Sequence, residues 1–247
     1  KMCMLTYIPI NESNFMLLHS RDESILRPIA TPPIKQEILG VKHVFSVDPE
    51  GKGTWIGFSE TGTVAALFNA GSQSYKHEPP YKYSRGLIIP ELFKHRSFES
   101  FYEEFDHEGL APFTLWVIEG DRFVQVRKDT DKIEVEEMNL LHPQLALSKN
   151  LYPQETEDIR RLELLKLYYD KGFVSREELL KFHDKYRFET APDETIDTSP
   201  QILKTVSTTC IIKSPKMIDI DYFDKINDIK ITNKLKVAKT EDQEVFQ

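Results

Sequence analysis

The chain has 247 residues, 40% hydrophobic and 29% charged, which suits one domain with a sizeable core. Its net charge of −8 argues against general nucleic-acid binding, which leaves a basic footprint. No run approaches the ~20 apolar residues of a membrane-spanning helix, no secretory leader pattern precedes Cys3, and two cysteines without a spacing pattern suggest neither a disulfide framework nor a zinc site, so a cytoplasmic protein with reduced thiols is expected.

Residues 3–8 (CMLTYI) and 15–19 (FMLLH) are short apolar runs around turn-forming Pro-Ile-Asn-Glu-Ser-Asn, which predicts an antiparallel hairpin. Folded about the Glu12–Ser13 bond, it sets Tyr7 against Leu18, Leu5 against Ser20 and Cys3 against Asp22. Thr54–Ser59 and Thr63–Phe68 flank Glu60-Thr61-Gly62 as a second hairpin. With the first hairpin it is expected to make one sheet, whose strands are apolar on both faces as when both faces are covered. Residues 84–105 read as helical, with Ser84 as N-cap and Pro90 as a break. Phe113–Ile118, Arg122–Lys128 and Lys132–Met138 follow as three strands. Gln154–Asp170 is an amphipathic helix with Ile159, Leu162, Leu165 and Tyr169 at helical spacing. Ser175 to Glu178 is a capping box opening a helix to about Lys185. Phe188–Pro200, acidic and rich in Thr and Pro, reads as a mobile loop. Leu203–Lys213 and Met217–Phe223 form a last pair of strands about Ser214-Pro215. Residues 1–225 are therefore expected to form a single domain, and 226–247 a polar, partly disordered tail with weak strand signals. Two sheets sandwiched by helices is the architecture these elements permit.

The chemistry concentrates at the open end of the first hairpin. A thiol reacts as its thiolate, and a nearby cation such as Arg21 lowers its pKa. A cysteine at the start of a chain could use its own α-amine, with a pKa of ~7.7–8.0, as general base. Asp22 could orient that amine. Lys1 and Met2 stand before Cys3, however, and an amide nitrogen is not a base, so this chemistry requires their removal. The seven histidines lack His-x-His or His-Glu-x-x-His spacing; only His19 falls near the hairpin end. Cys210 lies among apolar neighbours and reads as core, and Trp55 as a packing anchor. No cofactor or metal is implied.

Met2-Cys3, Ser20-Arg21-Asp22-Glu23 with Arg27-Pro28, Gly53-Thr54-Trp55-Ile56-Gly57 and Val64-Ala65-Ala66-Leu67-Phe68-Asn69 come in order. Together they resemble the NRDE family, also called the transport and Golgi organisation 2 family. Pro79-Pro80-Tyr81 with Ser84-Arg85-Gly86, Leu147-Ser148-Lys149-Asn150-Leu151-Tyr152 and Lys204-Thr205-Val206-Ser207-Thr208-Thr209 extend the likeness to about residue 225. One departure is Ser20, where the family's namesake tetrapeptide has Asn.

The resemblance leads on to N-terminal nucleophile hydrolases of the choloylglycine type, and so to an α+β fold. It implies an αββα four-layer sandwich of two mainly antiparallel sheets between helices. Cys3, Arg21 and Asp22 resemble those enzymes' catalytic set, and Asn69 resembles an oxyanion-hole residue. Ser148 or Asn150 would supply the second hole position and Lys204 a late positive charge. Ser20, His19 and Trp55 are the further candidates for substrate contact. Two functions follow as expectations. One is an N-terminal cysteine amidohydrolase or acyltransferase acting on a small-molecule amide or acyl substrate. The other is a non-catalytic carrier or trafficking protein for a hydrophobic ligand such as haem or an acyl lipid, with His19 or Cys3 as the axial ligand in the haem case.

Overall fold

The N-terminal hairpin forms as strands β1 (Met2–Pro9) and β2 (Phe15–Ser24) of a computed structural model, which describes residues 2–189 and 202–238. Its register differs by one residue from the sequence expectation. Pro9 pairs with Phe15, Leu5 with His19, Cys3 with Arg21 and Met2 with Asp22. The cause is a five-residue loop centred on Glu12: the Ile10 and Asn11 amides both donate to the Asn14 carbonyl, and Asn11 Oδ1 accepts from the Ser13 and Asn14 amides. A one-residue slip exchanges the faces of a strand. Cys3 therefore shares a face with Arg21, while Ser20 and Asp22 point the other way.

The hairpin lies near the middle of a six-stranded antiparallel sheet. Its other members are β10 (Gln144–Leu147), β11 (Leu203–Lys213), β12 (Met217–Asp224) and β13 (Ile229–Lys236), in the order β10-β1-β2-β11-β12-β13. Strand β13 falls within the expected polar tail. Pairing with β12 along its whole length makes it the sheet's edge, so the ordered fold runs to Lys236. The second sheet is a seven-stranded meander of β3 (Ile34–Ile38), β4 (Val41–Phe45), β5 (Ile56–Ser59), β6 (Val64–Asn69), β7 (Phe113–Glu119), β8 (Arg122–Lys128) and β9 (Ile133–Glu137). The second hairpin, β5–β6, thus does not join the first in one sheet: its outer edges are taken by β4 and β7, and the two hairpins face each other across the core.

Four layers result. Period-two alternation sends Leu5, Tyr7 and Leu17 inward to meet Ile56, Phe58, Trp116 and Phe123 of the other sheet. It sends Met4, Ile8, Met16 and Leu18 outward against Leu164, Leu179 and Phe182 of helices α3 (Gln154–Lys171) and α4 (Arg176–Lys185). The far face of the meander is covered by α1 (Ile88–Leu92) and α2 (Phe98–Glu104) through Ile88, Leu92, Phe98 and Phe101. Burial of both faces explains why the central strands are continuously apolar. The architecture is the αββα sandwich that the resemblance implied. Among the described residues no helix is long and apolar enough to cross a membrane.

Two further differences from the sequence expectations have local causes. The helical region breaks between Phe93 and Ser97, where Ser97 caps α2 reciprocally with Ser100, rather than at Pro90. Pro90 sits in the first turn of α1, where its missing amide costs little. The apolar stripe of α3 is not its buried face: Ile159, Leu162 and Tyr169 are more than half exposed, and Glu157 and Leu164 are buried instead. Glu157 sets this rotation. Its carboxylate accepts from the Leu147 amide on edge strand β10 and from Lys149 and Arg161. The expected loop Phe188–Pro200 lies for the most part outside the described residues. By contrast, α4 starts where the capping box placed it, with Ser175 and Glu178 bonded reciprocally.

The rotated helix makes a simple expectation. Leu162→Lys should change the urea unfolding free energy by no more than about 0.5 kcal/mol. Leu164→Ala should lower it by about 2–5 kcal/mol. The sequence stripe taken at face value would reverse that order.

Candidate functional site

At the open end of the hairpin the two sheets part to leave a cavity of about 500 Å³. Cys3, Arg21, Trp55 and Asn69 all line it, and each is less than 10% exposed, so they form its floor and deep walls. Asp48, Tyr75, Arg85 and Asn150 line it from the connecting loops.

Arg21 is held by charge and stacking together. Its Nη2 donates to Asp48 Oδ2 at 2.6 Å and to Glu23 Oε2 at 3.3 Å. Its guanidinium carbon lies 4.5 Å from the centroid of the Trp55 ring, a cation–π contact. Arg27 grips the same Asp48 through Nε at 2.9 Å and Nη2 at 3.0 Å, and reaches Glu50 at 2.6 Å. Asp48 sits in a tight turn in which its Oδ1 also accepts from the Glu50 and Gly51 amides. The Asp48-Pro49-Glu50-Gly51 run has turn chemistry, but no sequence signal shows that it closes on Arg21.

Cys3 is not activated in this form of the chain. Burial, and after it the Asp22 carboxylate, push its thiol up to about 12, with Arg21 opposing. Arg21 does pull the thiol's pKa down, as expected, but desolvation outweighs a cation already offset by two carboxylates. Asp22 lies on the other face of β2. Its carboxylate accepts from Thr205 Oγ1 at 2.6 Å and from the Tyr152 hydroxyl at 3.2 Å. A bulge between Thr205 and Ser207 in β11 brings Thr205 opposite Asp22. Burial raises the Asp22 carboxyl to about 7 against the pull of those two hydrogen bonds.

The remaining candidates divide between cavity and core. Ser148 donates through Oγ to the Asn69 carbonyl at 2.9 Å and through its amide to the Cys3 carbonyl at 3.1 Å, so it joins the two residues from behind. Asn150 Oδ1 accepts from the Tyr75 amide at 2.9 Å at the cavity wall. Ser20 points to the helix face and bonds His183 at 2.8 Å, away from the cavity. His19 is fully buried and does not line the cavity; desolvation lowers it to about 3. Lys204 stands opposite Glu23 in the ladder but pairs with Glu189 at 2.5 Å and does not line the cavity. Sequence reasoning grouped Ser20, His19 and Lys204 with the site through proximity along the chain; alternation turns Ser20 to the other face, whereas His19 keeps Arg21's face of β2 but lies two residues further from the open end, outside the cavity. That reasoning did not single out Asp48, Tyr75 or the cavity role of Arg85.

The buried titratable groups give a pH dependence. His19 is lowered to about 3, His43 to about 4, and His183 well below its ordinary value, all mainly by desolvation. Each is neutral when folded but takes a proton on unfolding below pH ~6.5, so its contribution is present above that pH and lost on acidification. Asp22 acts oppositely: raised to about 7, it contributes below pH ~3.9 and loses that contribution as pH rises towards 7. Three groups outweigh one, so the urea midpoint should fall between pH 7 and pH 5. Asp22→Asn removes the opposing group and should make that fall steeper.

The fold has close structural counterparts. A variant of the conjugated bile acid hydrolase from Clostridium perfringens matches with a TM-score of 0.59 at 11% identity, covering 96% of this chain and 97% of that one. Another variant of the same hydrolase gives 0.52 at 13%, covering 97% and 98%. The Caenorhabditis elegans ortholog of N-acylethanolamine-hydrolyzing acid amidase gives 0.54 at 10%, covering 85% and 92%. At such identities the likeness is one of fold, that of the N-terminal nucleophile hydrolases. No curated protein matches the chain in sequence. A family profile does, over residues 2–236, and its span takes in every element from β1 to the end of β13. The chain therefore belongs to the Transport and Golgi organisation 2 family.

Proposed function

We propose that the protein is an N-terminal cysteine amidohydrolase or acyltransferase acting on carbon–nitrogen amide bonds, active once Lys1 and Met2 are removed. The observation that carries this reading is the place of Cys3. It lies on the floor of a cavity of about 500 Å³, cross-strand from Arg21, with Asn69 in the same wall. Large cavities with a few convergent polar groups are the usual setting of small-molecule chemistry.

In the mature form the Cys3 α-amine takes the Sγ proton, and the thiolate attacks the substrate carbonyl carbon. The carbonyl oxygen becomes an oxyanion. On β6 the Leu67 amide bonds the Trp55 carbonyl at 2.8 Å, and alternation turns the Asn69 amide to the same edge, past the end of β5. That amide is the proposed oxyanion donor, an interaction worth about 2.7–4 kcal/mol. Collapse breaks the carbon–nitrogen bond, and the α-ammonium returns its proton to the departing amine. A thioester on Cys3 remains, and water or a second amine takes the acyl group from it. In this reading Asp22, whose backbone is cross-strand from Met2, orients the freed amine. Arg21, with its buried partners, holds the floor of the site.

The test compares protein beginning at Cys3 with protein retaining Met2. The mature form should be alkylated by iodoacetamide at Cys3 in preference to buried Cys210 and should hydrolyse members of an N-acyl amide panel. Cys3→Ala should lower that rate by more than about 10³-fold. A mature protein that neither alkylates at Cys3 nor turns over any amide, yet binds haem or an acyl lipid saturably with Cys3→Ala in place, would overturn the enzyme reading in favour of the carrier.

A further inference from the structure

Three guanidiniums line the cavity, those of Arg21, Arg27 and Arg85, against two carboxylates, Glu23 and Asp48. Both carboxylates are taken by Arg21 and Arg27. Arg85 differs from the other two. Among the described residues it makes no ion pair, and its partners are neutral oxygens, the Tyr75 hydroxyl and the Pro112 carbonyl. Both bonds use Nη1 alone. The Nε and Nη2 edge, the pair of parallel donors that matches a carboxylate, makes no hydrogen bond to a described residue and is not sealed from solvent.

The guanidinium is also held in place. Ser84 caps the short turn that carries Arg85, accepting from the Gly86 amide. The Gly86 carbonyl accepts from the Thr54 amide at 2.8 Å, beside Trp55 on the cavity wall. A Cβ on Gly53 would lie 2.2 Å from the Gly86 carbonyl carbon, so the two backbones touch. On the other side the Tyr75 amide is tied to Asn150. A cation fixed in a cavity with its bidentate edge unoccupied is prepared for an anion, because little side-chain entropy remains to be lost when it binds.

We propose that Arg85 is the specificity residue of this cavity and that its substrate is an amide bearing a carboxylate. This rests on the amidase reading for the reaction but not for the binding. A single planar, singly charged group fits one guanidinium edge. A phosphate would call on further cations, and Arg21 and Arg27 are already committed to protein carboxylates.

The test measures binding by calorimetry, with Cys3→Ser protein to prevent turnover. The probes are two matched pairs that carry the charge on either side of the amide: N-octanoylglycine against N-octanoylglycinamide, and N-octylsuccinamic acid against its primary amide. Octyl phosphate serves as the alternative anion. In at least one pair the acid should bind about tenfold or more tightly than its neutral partner, a charge-assisted bidentate contact being stronger than a neutral one. That preference should vanish in Arg85→Gln with the neutral probe's affinity unchanged, and fall part-way in Arg85→Lys. In the parent protein it should weaken with added salt, a readout that needs no variant to fold. Equal binding of acid and amide in both pairs overturns the proposal, as does a preference that survives Arg85→Gln, or tighter binding of octyl phosphate than of either acid. Carboxylate-selective binding without cleavage by mature Cys3 protein would overturn the hydrolase reading and leave the role of Arg85 standing.

Discussion

A guanidinium taken out of water must be paired, and Arg21 is 5% exposed. That requirement organises the site end of the molecule. Arg21 projects from β2 in one sheet, and its main partner, Asp48, comes from the loop between β4 and β5 in the other. The ion pair therefore ties the two sheets together where they would otherwise be free to part. Arg27 and the amides of Glu50 and Gly51 hold Asp48 in turn, so the carboxylate has its remaining lone pairs satisfied. Trp55 stacks on the guanidinium from the end of that same loop, just before β5. The cavity exists because a buried charge cluster, rather than apolar side chains, fills the gap between the sheets at this end.

Alternation along β2 divides the chemistry between two compartments. Arg21 and Glu23 face the space between the sheets, with Cys3 opposite Arg21. Ser20 and Asp22 face the helices, where Ser20 meets His183 of α4 and Asp22 meets Tyr152 and Thr205. Thr6 joins His183 on its other nitrogen at 2.9 Å. This second compartment is a buried polar network under α4, and it anchors the outer face of the strand whose inner face carries the site. A run of four polar residues in the middle of a sheet is tolerated because each face supplies its own partners.

The same geometry accounts for the thiol's state. With two residues ahead of it, Cys3 is buried in the cavity floor, and desolvation governs its proton. A new chain end at Cys3 would place a charged, hydrated amine there, changing solvation and proton inventory together. The contacts of Ser148 with the Cys3 and Asn69 carbonyls require no such change, so the framework around Cys3 is already in place.

Much of the fold is legible in the residues themselves. Apolar runs covered on both faces, the Ser175 capping box and the turn signals identify most strands and the start of α4, since those signals act over a few residues. Short-range reasoning fails where a distant partner decides. The face of α3 follows from Glu157 serving an edge-strand amide, against the pull of its own apolar stripe. The role of β13 follows from pairing with β12. At the site, the sequence by itself picked out Cys3, Arg21, Asp22 and Asn69 as the candidate residues. Only the tertiary structure decided which of them share a face, because register rests on one loop residue and period two converts that residue into an exchange of sides. It alone, too, decided that Asp48 neutralises Arg21 while Arg85 makes no ion pair among the described residues, since an ion pair between a strand of one sheet and a loop of the other leaves no periodicity to read.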